Sequence, residues 1–146
     1  MKMKRFFSLA ALVAVILAGC CNLPMPLPLA GTSWTPVRIG ENAVAPGKAL
    51  LVIEADGRVH GNGGVNGFFG SATVDAETGA IRFSENMGAT LMAGPEEAMA
   101  AERSLFEALG RVRGYRISCD ELTFLDGAGN PVVVFRGTSA AAGAAK

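Results

Sequence analysis

The sequence predicts an α+β domain: an antiparallel sheet or partly closed β-barrel of about seven to eight strands, with one packed helix. Three observations predict it. Between Ala30 and Arg136 apolar and polar residues mostly alternate, the period of a half-buried strand. Glycine- and Asp/Asn-rich turn signals separate those runs at short intervals. A single segment, Pro95 to Leu109, carries helical spacing instead.

The first strand is Thr32 to Ile39, which holds the only tryptophan, Trp34; Pro36 lacks an N–H and calls for an edge or a bulge. Leu50 to Ala55 and Arg58 to Gly61 flank Asp56-Gly57, a two-residue hairpin signal. Phe68 to Val74 and Ala80 to Phe83 form the next pair. In the helix, Ala98, Ala101, Leu105 and Leu109 share a face, with Phe106 beside them. Pro95 suits its first position, Glu96 and Glu97 complement the positive end of its dipole, and Gly110 is its expected stop, with Arg111 and Arg113 at the negative end. Tyr115 to Cys119, Glu121 to Leu125 and Val132 to Arg136 complete the strands, the last two joined by the turn Asp126 to Asn130.

Outside this domain the chain changes character. Lys2, Lys4 and Arg5 precede an apolar run from Phe6 to Leu17, too short for the roughly 20 residues that cross a bilayer but suited to a signal peptide. It ends in Leu17-Ala18-Gly19-Cys20, which resembles the bacterial lipobox. The expectation is a signal peptide over residues 1–19, cleavage between Gly19 and Cys20, and lipid attachment at Cys20. The lipid would hold the protein on a cell membrane. With Cys21 rather than Asp next, that is the outer membrane, facing the periplasm, in a Gram-negative host. Residues 20–29, with prolines at 24, 26 and 28, read as a tether whose stretch from Asn22 to Leu29 is extended over roughly 25 Å. Residues 137–146, rich in Ala, Gly and Ser, read as a disordered tail. The folded domain is expected over 30–136.

Removing residues 1–19 leaves ten basic side chains against thirteen acidic, a net charge near −3. No basic stripe is present to neutralise phosphates, which excludes nucleic acid as the expected partner. Three cysteines and one histidine form no metal-ligand spacing, so no metal, cofactor or disulfide is expected.

Gly61-Asn62-Gly63-Gly64-Val65-Asn66-Gly67-Phe68-Phe69-Gly70 resembles the corresponding segment of the META domain, found in HslJ-like bacterial lipoproteins. Gly31-Thr32-Ser33-Trp34 resembles that family's opening strand, and Met87-Gly88-Ala89-Thr90-Leu91-Met92-Ala93 its segment before the helix. Glu102 to Leu109, Tyr115 and Leu122 to Phe135 match its helix and closing hairpin. The resemblance implies a barrel-like α+β fold and an envelope role connected with stress or surface behaviour, without catalytic residues or cofactor. It also implies a disulfide that this chain lacks, since Val65 and Gly94 stand at the positions of its two cysteines.

Candidate chemistry is sparse. Strand parity with Tyr115 and Ile117 points Cys119 into the core, where a thiol is inert, while Val59, the apolar member of its own strand, leaves His60 and Arg58 on the opposite, wetter face. Glu96 and Glu97 diverge on a helix and read as dipole partners. The glycine run lacks the lysine of a phosphate loop and reads as a tight strand connection, with Asn66 stabilising the turn. No catalytic residue is assigned. The expected function is a non-catalytic envelope module that binds an unknown envelope protein. The alternative is a carrier of a small apolar ligand, with Phe68, Phe69, Phe83, Tyr115, Phe124 and Phe135 lining the barrel, or, third, a small hydrolase.

Overall fold

The computed structural model describes residues 27–138. The expected signal peptide, Gly19, Cys20, Cys21 and most of the tether and tail lie outside the described residues. Within them the chain forms β1 (Ser33–Ile39), β2 (Asn42–Ala43), β3 (Leu50–Ile53), β4 (Arg58–Asn62), β5 (Gly67–Asp75), β6 (Ala80–Phe83), β7 (Gly88–Ala89), α1 (Glu96–Arg111), β8 (Gly114–Ser118), β9 (Glu121–Leu125) and β10 (Pro131–Thr138). Eight strands close into an antiparallel barrel in the order β10-β9-β8-β6-β5-β4-β3-β1, with β1 pairing back onto β10. The two-residue strands β2 and β7 are appended to β1 and β5.

Alternation builds the interior. Trp34, Leu51, Ile53, Val59, Phe68, Ile81, Leu122, Phe124 and Phe135 are all buried there. Phe124 meets Phe83 and Phe135 edge to face, with ring centroids 5.5 and 5.4 Å apart. An eight-stranded barrel is just wide enough for side chains to fill. Phe69, one position out of phase with Phe68, points outward and is 64% exposed, and Tyr115 is half-buried. The expected six-ring lining therefore reduces to four buried rings packed as core.

Local details follow from chain chemistry. Pro36 cannot donate to the ladder, and the β1–β10 register shifts between Pro36 and Arg38, giving the bulge. At Asp56-Gly57 the hairpin loop is wider than two residues. Glu54 N–H donates to the Arg58 carbonyl, Gly57 N–H donates to Glu54, and Gly57 takes φ +85°. The helix runs through Gly110 to Arg111 and stops because Val112 turns extended; Arg113 then donates to the Gly110 and Val112 carbonyls.

The domain edges are also wider than expected. Trp34 Nε1 donates to Leu29, Thr32 Oγ1 to Pro28 and Leu27 N–H to Cys119, so residues 27–29, expected in the tether, are docked on the barrel. Gly137 and Thr138, expected in the tail, belong to β10.

Candidate functional site

Helix α1 packs against β1, β6 and β10, and Phe106 meets Phe68 of β5 edge to face at 5.3 Å. These strands lie on different sides of the ring, so the helix spans one mouth of the barrel and buries Leu105, Ala108 and Leu109 in it. The buried stripe also contains Glu102. Sequence periodicity had put Ala101 on that face, yet Ala101 is exposed. The missed signal is the carboxylate itself: 98, 102, 105 and 109 keep helical spacing only if Glu102 is admitted.

Three hydrogen bonds hold the buried Glu102 carboxylate in place. Its Oε2 accepts from the N–H groups of Val65 at 3.0 Å and Asn66 at 2.7 Å, and its Oε1 accepts from Asn66 Nδ2 at 2.7 Å. Asn66 Oδ1 in turn accepts from Thr90 Oγ1 at 2.9 Å and Met92 N–H at 2.6 Å. Burial pushes the Glu102 carboxyl up, but the Asn66 and Val65 donors offset this, and it ends below the usual carboxylate value. Asn66, expected to stabilise only its own turn, thus ties the β4–β5 connection, the segment before the helix and the helix together. Gly63 is required beneath it, because a Cβ there would meet Glu102 Cγ at 2.6 Å.

Beside this brace, an open cleft of about 550 Å³ lies between one flank of α1 and the loop that follows β2. Ile39, Val44, Ala101 and Leu105 supply its apolar wall; Lys48, Glu97, Glu107 and Arg111 supply charge. A second cleft of about 290 Å³ flanks the helix near Phe83, Phe106 and Arg113. Glu97 therefore lines a cleft, whereas Glu96 pairs with Arg103 on the surface at 3.0 Å.

The remaining candidates do not converge. His60 is exposed on β4, as parity predicts, and its Nε2 lies 2.9 Å from Glu54 Oε1. Cys119 is corrected. β8 ends at Ser118, so strand parity no longer governs the next residue: Cys119 opens the β8–β9 turn with φ +58° and is half-buried. It is also disulfide-bonded, so its thiol is not free. Among the described residues no three His, Cys, Asp or Glu side chains gather at a metal-sized site. Val65 and Gly94 do face each other: a Cβ at position 94 would lie 3.5 Å from Val65 Cβ, with the valine methyls filling the gap.

The fold recurs in solved structures. A protein from Burkholderia xenovorans superposes with a TM-score of 0.59 at 20% identity, covering 80% of this chain and 92% of that one. A DUF4847 family protein from Bacteroides vulgatus superposes with a TM-score of 0.54 at 14% identity, covering 74% and 93%. No curated protein matches the sequence significantly. The family model of the META domain matches residues 27–139, the barrel, its helix and the docked end of the tether together. The chain belongs to the META domain family.

Proposed function

We propose that this protein is a lipid-anchored envelope lipoprotein whose META domain is a non-catalytic binding module for another envelope protein, acting in the response of the envelope to stress. The observation that carries the binding role is the cleft at the helix mouth: part apolar, part charged, and backed by the Glu102–Asn66 brace that holds its wall in one shape. A preformed concave surface with a few charged groups is how a protein presents a specific contact. The barrel interior gives the carrier reading no support, because its rings pack on one another.

The N-terminal charge pattern and the Leu17-Ala18-Gly19-Cys20 box support the anchor. A photo-crosslinking residue placed at Ala101 in cells should capture a discrete protein adduct, and the same residue at Arg58, exposed on the β3–β4 hairpin, should not. Cys20→Ser should abolish fatty-acid labelling. Absence of any adduct from Ala101 in the anchored, folded protein would sink the binding reading. Persistent labelling of Cys20→Ser would sink the anchor.

A further inference from the structure

We infer that the cleft takes its partner as an extended peptide, which adds as a strand to the free edge of β2 and lays alternate apolar side chains along the flank of α1. The inference rests on the proposed binding role of the cleft and names the chemistry of its occupant.

β2 pairs with β1 alone, so its other edge is open among the described residues. Ala43 stands opposite Arg38, and the next residue, Val44, donates its N–H to the Val37 carbonyl at 2.9 Å. Antiparallel ladders alternate hydrogen-bonded and non-bonded pairs. With Val37 and Val44 bonded, Arg38 and Ala43 are not, and the N–H and carbonyl of Ala43 point away from β1. Asn42, Ala43, Val44 and Ala45 line the cleft, which puts that donor and acceptor at its rim. An unpaired strand edge is a template for a further strand. Pro46 follows closely, so the edge is short and the groove beside it supplies the rest of the contact.

That groove suits a strand better than a helix. Its helical wall runs from Glu97 to Arg111, about 21 Å at about 1.5 Å per residue, which about six extended residues span. A helix about 10 Å across would place little more than one turn in about 550 Å³, and would leave the Ala43 groups unanswered. Lys48, Glu97, Glu107 and Arg111 line the cleft, and none of them forms an ion pair among the described residues. Their charges balance, so a peptide carrying both signs fits and a uniformly charged one does not. Glu97 and Arg111 stand at opposite ends of the helical wall. The occupant is a segment with apolar side chains at alternate positions, between a basic residue for Glu97 and an acidic one for Arg111.

The test is selection of random linear peptides from a displayed library against the full-length protein in detergent. Peptides that also bind Ala101→Trp, which fills the groove from an exposed helix position, are discarded. Enriched sequences should alternate apolar and polar residues, and a synthetic one should slow exchange of the Ala43 amide about tenfold or more. Ala43→Pro removes the outward N–H without removing a bond to β1, and should weaken that peptide about tenfold. The exchange measurement on wild type decides the matter even where this variant does not fold. Enriched sequences with apolar residues at i, i+3 and i+4, or binding that leaves Ala43 unprotected, would overturn strand addition and leave the cleft a binding site. No enrichment would also overturn it, while a protein adduct from Ala101 in cells would still support the binding role.

Discussion

Glu102 is where a single side chain matters most. Its two oxygens accept from two backbone N–H groups and from the Asn66 amide, three donors gathered at one carboxylate. Glu102→Gln presents an NH₂ to at least one of those donors, and should lower stability by about 1–3 kcal/mol. The sign of the pH dependence follows from its lowered carboxyl pKa. The stabilisation is complete above the ordinary carboxylate range and is lost as pH falls through the lower folded value. Urea unfolding of wild type and Glu102→Gln should therefore show a gap that narrows on acidification. The other lowered carboxylates, at Asp56, Asp75 and Asp126, are present in both proteins and cancel in the difference. A gap that widens in acid would show that the charge is not what holds the turn. His60 was legible from alternation alone, because an uninterrupted strand carries its parity forward. Cys119 was not, because parity stops where the strand stops.

Among the elements, the segment from β4 to the start of α1 shows how a family motif is spent physically. Thr90 and Met92 serve Asn66, Gly63 makes room for Glu102, and Val65 occupies the space that Gly94 leaves open. The 3.5 Å separation between Val65 Cβ and a Cβ at position 94 lies within disulfide geometry. The double variant Val65→Cys, Gly94→Cys should crosslink on oxidation and gain about 2–4 kcal/mol. Non-reducing mass mapping and urea midpoints read both outcomes; a folded variant that stays uncrosslinked would show that the two segments are not held face to face. Strand identities and the hairpin partners were readable from period two and turn residues. The two-residue strands β2 and β7 were not, since two residues carry no period. The helix face was misassigned by one position because a carboxylate on a core stripe contradicts the apolar pattern used to find it.

At the scale of the whole molecule, the barrel is held by its filled interior rather than built around a ligand. Phe124 is fully buried and touches two other rings, so Phe124→Ala should cost about 3–5 kcal/mol, measurable by thermal or urea unfolding. A loss below 1 kcal/mol would mean that the interior tolerates an empty volume, and would reopen the carrier reading. What the sequence by itself determined was the local part: which segments are strands, where the helix lies, which glycines turn the chain, and the family. Those depend on periodicity, proline and glycine dihedrals and charge at helix ends, all short-range in the chain. Only the tertiary structure decided that β10 returns to β1 and closes the sheet. It also decided that Glu102 reaches Asn66 across thirty-six residues, and that the tether docks against the turn holding Cys119. Those contacts join residues far apart in the chain, and no local period records which distant partner a buried donor or acceptor will find.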